Sequence, residues 1–98
     1  MQIKWTPSAR QSLAQIRSIH FTQQETKRYK IELVRKIEQK VAVVLETMPA
    51  NEPSWQGTYR ILVDKYKVYY SFSEDKQICY IEALRHQHKQ MDLIWNRS

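Results

Sequence analysis

The chain has 98 residues, enough for one domain with a single core that needs neither disulfides nor a metal to hold it together. Sixteen Lys and Arg against ten Asp and Glu leave a formal charge of +6, which favours anionic partners such as nucleic acid or an acidic protein. The single cysteine, Cys79, excludes an internal disulfide. No apolar run approaches the roughly 20 residues of a membrane span, and the N-terminus lacks a signal-peptide core.

These features set the expectation of one domain over residues 1–98, in the reducing cytoplasm, with no membrane partner. Cys79 itself reads as a small buried residue of a strand. One Gly and three Pro leave little room for linkers, and no repeat or low-complexity tract is present.

Gln2-Ile3-Lys4-Trp5 alternates polar and apolar residues and reads as a short first strand. Thr6-Pro7 then starts a helix, with Thr6 as cap and Pro7 at the first helical position. Ala9, Leu13, Ile16 and Ile19 carry its apolar face to about His20. Thr22-Gln23-Gln24-Glu25 fits a capping box and opens a second helix. Its apolar stripe runs through Tyr29, Leu33, Ile37, Val41, Val44 and Met48, widened by Val34 and Leu45. Pro49 is the expected stop. Lys27, Arg28, Lys30, Arg35, Lys36 and Lys40 make the outer face of this helix a solvated cationic one.

Ala50 to Gln56 reads as a loop. The stretch from Tyr59 to Tyr70 reads as a hairpin with Asp64-Lys65 at its turn. That register opposes Val63 to Tyr66, Ile61 to Val68 and Tyr59 to Tyr70, and opposed residues share a face. Tyr59, Ile61, Val63, Tyr66, Val68 and Tyr70 then form a core face, while Arg60, Leu62, Lys67 and Tyr69 form the other. The turn departs from the usual pattern because Lys65 is not Gly, and a slip of one residue would exchange the faces. After the polar Ser73–Lys76 turn, Gln77 to Leu84 is the last strand. Cys79, Ile81 and Ala83 are expected under the helices, with Tyr80, Glu82, Leu84 and His86 on the open face. The tail from Met91 to Trp95 fits a short helix or an apolar extension.

The order is strand, helical hairpin, then three antiparallel strands in one sheet: an α+β, two-layer domain. Nothing in the sequence signals a cover for the second face of the sheet, which antiparallel sheets leave wet without difficulty.

The sequence lacks a Gly-rich phosphate loop, a Cys pair for zinc and a nucleophile elbow. His86-x-His88 has no third ligand at a recognisable spacing, so neither a metal nor another cofactor is expected. The candidate site is the basic set Arg60, Lys67, Arg85, His86, His88 and Lys89, with Tyr69 and Tyr80 as stacking surfaces for a base or a target side chain. RNA cleavage by a 2′-hydroxyl needs a base, an acid and cations on the phosphate. Glu82 or His86 fits the base, His86 or His88 the acid, and Arg60, Lys67, Arg85 and Lys89 the clamps.

The element order resembles that of the RelE/ParE superfamily of bacterial toxins. So do Trp5-Thr6-Pro7-Ser8-Ala9 leading into the first helix, the hairpin Tyr59-Arg60-Ile61-x-Val63-x-x-Tyr66-Lys67-Val68-x-Tyr70, and Ile81-x-x-Leu84-Arg85-His86. The resemblance implies the toxin of a type II toxin–antitoxin pair, neutralised by a cognate antitoxin that wraps a disordered segment around it. It implies one of two targets, DNA gyrase for ParE-like members or the ribosome and its mRNA for RelE-like endonucleases. The long helical hairpin, with the segment from Thr26 to Pro49, resembles the ParE side. The stretch after the last strand holds Gln87 and His88, with Trp95 as its aromatic. RelE-like nucleases commonly place arginine there and an acid–base aromatic beyond it, and tryptophan cannot exchange protons as tyrosine can. The expectation is therefore a gyrase inhibitor of the ParE kind, with mRNA cleavage through Arg60, Lys67, Glu82 and His86 as the alternative.

Overall fold

The computed structural model describes residues 1–16, 22–52 and 55–87. Six elements follow in chain order: β1 (Gln2–Trp5), α1 (Pro7–Ala14), α2 (Gln23–Val44), β2 (Tyr59–Val63), β3 (Tyr66–Phe72) and β4 (Ile78–His86). Both helix starts form as their sequences dictate. The Thr6 hydroxyl accepts from the Ala9 amide. Thr22 and Glu25 exchange both bonds of a capping box, each side chain accepting from the other residue's amide.

The helices end earlier than the apolar spacing predicts. α1 stops at Ala14, where Ile16 N–H bonds back to Leu13 in a tighter turn, and Ile19 and His20 lie outside the described residues. α2 has 22 residues, roughly 33 Å at 1.5 Å each, and stops at Val44 rather than Met48. Strand pairing takes the next residues. Arg60 N–H donates to the Met48 carbonyl, Ala50 N–H donates to Thr58, and Pro49 bridges Tyr59. Leu45 leaves the helix at φ +51°, a costly conformation for a branched side chain. Its carbonyl accepts from the Tyr70 hydroxyl, which satisfies one of the orphan acceptors at a helix end.

The sheet order is β1-β4-β3-β2. The last three strands are antiparallel, and β1 joins at the edge parallel to β4, so the sheet is mixed. The hairpin register is the expected one, pairing Tyr59 with Tyr70, Ile61 with Val68 and Val63 with Tyr66. Asp64 takes a positive φ of 54° and Lys65 does not, so the turn asks for an unusual backbone only at its first position and does without the Gly expected at its second. Asp is among the residues enriched at positive φ. From α2, Lys36 pairs with the Asp64 carboxylate and the Tyr29 hydroxyl donates to it, so the helix also grips the turn.

α1 lies against β4 and α2 against β2, on one side of the sheet. The core between them holds Ala9, Leu33, Ile37, Val41, Ile61, Val63, Val68, Tyr70, Cys79, Ile81 and Leu84. Trp5 closes one flank by donating its indole N–H to Glu38 of α2. The free edge of β2 is protected at Tyr59 and Arg60 by residues 48–50, and Lys40 of α2 donates to the Leu62 carbonyl. Lys30, Lys36 and Lys40 of the outer helix face thus tie α2 to its neighbours, with Lys30 donating to the Ala14 carbonyl.

One irregularity changes which residues share a face. Tyr69 pairs with Ala83 but Tyr70 with Ile81, so Glu82 is the extra residue of a β-bulge. Beyond it the alternation in β4 shifts by one. Leu84, paired with Val68, enters the core under the helices, and His86 pairs with Tyr66 on that same face. Ala83 moves to the opposite face beside Tyr69. The expected placement of Ala83, Leu84 and His86 is corrected by this bulge, while Cys79 and Ile81, before it, are buried under the helices as expected.

Candidate anion-binding face

The face away from the helices is built in rows across the strands. Leu62, Lys67 and Arg85 form one row, and Arg60, Tyr69 and Ala83 form the next. Ser71, Tyr80 and Lys4 form a third, with Tyr80 paired to both neighbours. The face is not open throughout. The connection between α2 and β2 folds over it and places Trp55 on Tyr69, with ring centroids 4.4 Å apart and planes within 17°. Tyr69 is thereby only 2% exposed and forms a second small cluster with Ala50 and Ala83.

The same connection supplies an acid. Glu52 accepts from Arg60 at 2.5 Å and from the Tyr69 hydroxyl at 3.0 Å. Burial first, and then the bond to Glu52, raise the Tyr69 pKa, so its phenol stays protonated and acts as a donor. Arg60 is therefore a cation already neutralised within the chain.

Arg85 is exposed and stands beside the aromatic stack, its guanidinium carbon 5.6 Å from the Trp55 ring and 5.8 Å from the Tyr69 ring. Its cross-strand partner is Lys67. Two cations opposed on one face repel each other, and among the described residues no carboxylate forms a salt bridge with either. The geometry suits a bound oxyanion, with Arg supplying a planar fork and Lys a mobile charge.

The remaining site candidates divide between this face and other positions. Tyr80 shares the face, two residues along the strand from the bulge at Glu82. The Glu82 carboxylate accepts from the Ser71 hydroxyl, and its backbone carbonyl accepts from Thr6. His86 lies across the sheet from Arg85, its ring edge-on to Tyr66 with centroids 5.2 Å apart. The histidine and the cations Arg60, Lys67 and Arg85 therefore occupy opposite faces. His88 and Lys89 lie outside the described residues. Among the described residues no cluster of His, Cys, Asp and Glu could hold a metal, and no helix is long and apolar enough to cross a membrane.

Trp55 and Glu52 are the contributors that the sequence reading missed. The available signal was a tryptophan inside an otherwise polar connection, two residues before the chain's only glycine. Gly57 has φ +79°, a conformation that L side chains rarely adopt, and it turns the chain back into β2 just after Trp55.

Comparison with known proteins agrees with this architecture. In structure, the chain resembles a RelBE-type toxin–antitoxin complex of Mycobacterium tuberculosis, with TM-score 0.64 and 15% identity over 87% of this chain and 95% of the matched one. It also resembles the chromosomal ParDE system of P. aeruginosa, at TM-score 0.56 and 16% identity over 88% and 95% of the two chains. The intact E. coli RelBE complex aligns at TM-score 0.52 and 14% identity, over 87% and 94%. At such identities these likenesses establish the fold. Among curated proteins there is no match. The profile of the ParE toxin of the type II toxin–antitoxin system, parDE, matches residues 3–91, nearly the whole chain. The chain belongs to this ParE toxin family, within the RelE/ParE superfamily of toxins from type II toxin–antitoxin systems.

Proposed function

We propose that this toxin inhibits DNA gyrase, that the face carrying Lys67, Arg85, Arg60 and Tyr80 meets the target, and that a cognate antitoxin neutralises it. The observation that supports gyrase inhibition over mRNA cleavage is the position of His86. A general acid or base must come within hydrogen-bond reach of the groups it serves. The bulge at Glu82 turns His86 toward Tyr66, across the sheet from the cations that would clamp a phosphate. The face is then equipped to bind an anionic surface rather than to move its protons.

The antitoxin in this reading brings acidic residues to the same cations and an apolar segment to the exposed side chains around the end of α2. Val43 is 81% exposed, Met48 52% and Leu45 42%, enough apolar surface to order a flexible partner segment.

The test uses the purified chain in two assays. With gyrase and plasmid DNA, supercoiling stops and cleaved DNA accumulates. In a translation extract, messages stay intact. His86→Gln lowers gyrase inhibition only modestly, whereas a histidine-dependent nuclease would lose about 10²–10⁴-fold in cleavage. Cut mRNA, unaffected gyrase and an inactive His86→Gln variant together overturn the proposal.

A further inference from the structure

We infer that Trp55 is a positioning residue: it holds the Arg85 guanidinium beside Lys67, so that these two side chains form the oxyanion-binding pair of the face. The inference rests on the reading of this face as the surface that meets the target.

The cations on the face are not equivalent. Arg60 is engaged by Glu52. Lys67 and Arg85 oppose each other without an acid bonded to either among the described residues. An exposed arginine loses much rotamer freedom when it binds, and holding it in place beforehand lowers that cost. The Trp55–Tyr69 stack does this. It offers π surface to Arg85 from two rings while leaving the N–H fork free of any protein acceptor among the described residues.

Trp55 is itself firmly placed. Its amide donates to the Glu52 carbonyl, and its own carbonyl accepts from both the amide and the hydroxyl of Thr58. Glu52 is in turn bonded to Tyr69 and Arg60 of the sheet. Gly57 supplies the left-handed turn that brings the chain back. A chain of contacts thus runs from the sheet through Glu52 to the indole and on to Arg85. Mere cover for Tyr69 would need only an apolar side chain at position 55. Holding a guanidinium needs an aromatic face.

The experiment separates these roles with Trp55→Phe and Trp55→Leu, both apolar and only the first aromatic. The isotopically labelled chain is titrated with inorganic pyrophosphate, following the NMR signals of Lys67 and Arg85, the Arg85 side-chain N–H included. Native protein and Trp55→Phe are expected to bind alike. Trp55→Leu should bind about fivefold more weakly, the size of one cation–π contact, with the spectrum elsewhere unchanged. The double variant Lys67→Ala/Arg85→Ala should abolish the pyrophosphate shifts of the backbone amides at positions 67 and 85 and at the neighbouring Leu62 and Tyr69.

The same series is then ranked as inhibitors of gyrase supercoiling. Equal pyrophosphate binding by Trp55→Leu and native protein overturns the inference, as does an Arg85 signal unmoved by loss of the aromatic ring. If the native chain leaves gyrase untouched while the pyrophosphate ranking holds, the gyrase reading fails and the positioning role of Trp55 stands. If gyrase is inhibited equally by every variant, Lys67→Ala/Arg85→Ala included, the toxin still acts on gyrase but this face is not the surface that meets it, and the inference falls with that reading of the face.

Discussion

The two faces of this sheet solve the same problem with different materials. Under the helices, aliphatic side chains from α2, β2, β3 and β4 pack with Tyr70 into one core, with Tyr29, Tyr59 and Tyr66 at its margin. On the other face a short connection lays one indole on one phenol, and an acid bridges a tyrosine and an arginine. The first face is stable because it removes apolar area from water. The second is only partly covered and depends on directed contacts. Stability is therefore concentrated on one side of the sheet and binding chemistry on the other. Substitutions should separate along that line.

The largest expected effect lies in the core. Ile37 is fully buried between α2 and the sheet, and Ile37→Ala should cost about 2–5 kcal/mol in chemical denaturation. On the opposite face, Arg85→Ala should leave the denaturation midpoint nearly unchanged, because an exposed side chain held only by its contacts with the Trp55 and Tyr69 rings contributes little to folding. It should nevertheless weaken target inhibition. A large stability loss from Arg85→Ala would erase the distinction between the faces.

Neighbouring tyrosines give the next test. Tyr70 points under the helices and donates to the Leu45 carbonyl at the end of α2, while Tyr69 points the other way and donates to Glu52. Tyr70→Phe leaves a helix-end carbonyl without its donor and should cost about 1–3 kcal/mol. Tyr69→Phe should cost less, because Arg60 still serves Glu52. A reversed order would place the more cooperative packing under Trp55.

The sequence was legible wherever a local rule and the tertiary packing agreed. Both helix caps, the first strand, the hairpin register and the stripe from Leu33 to Val44 follow from spacing and capping chemistry. The failures have physical causes. α2 stops short of Pro49 because pairing with β2 takes residues 48–50. The last strand changes face because a bulge leaves no mark in an alternating pattern that has apolar residues on both sides of it. Ala83 and Leu84 fit either face on their own, so the error carried on to His86. Trp55 escaped notice because a loop residue's contacts depend on where the loop folds. For the candidate site, Arg60, Lys67, Tyr69 and Tyr80 share a face as expected, and the bulge brings Arg85 onto it where the alternation had placed His86. What the sequence did not reveal was that Arg60 is already partnered and that Tyr69 is covered.

High pH should act through the helix-covered face. Burial raises the Cys79 thiol from 9.0 to about 11 and the Tyr70 phenol from 10.0 to about 12. Tyr29, at the margin of the core, is likewise raised to about 12, chiefly by burial and then by the Asp64 charge. The folded chain then holds protons that the unfolded chain releases. The stability these groups contribute is complete below pH 9 and drains away as pH climbs toward the folded values. Denaturation midpoints should fall steadily between roughly pH 9 and 12. Cys79→Ala and Tyr70→Phe should flatten that decline, and a profile unchanged by either variant would mean that these groups titrate alike in both states.

The smallest expected effect is also the most informative about the second face. The double variant Arg60→Gln/Glu52→Gln removes a partly exposed ion pair without altering net charge. Such pairs contribute about 0–1 kcal/mol, so its denaturation midpoint should move little. The amide side chains can still bond the Tyr69 hydroxyl and keep the Trp55 segment seated. Because the pair is internally neutral, its loss should reduce target inhibition less than Arg85→Ala does, although both variants alter a basic residue on one face. If the two prove equally damaging, the ion pair is itself part of the contact surface, and Arg60 gives up Glu52 when the target arrives. If the double variant is the milder, the working charge belongs to Lys67 and Arg85, and the role of Glu52 is to secure the connection that carries Trp55.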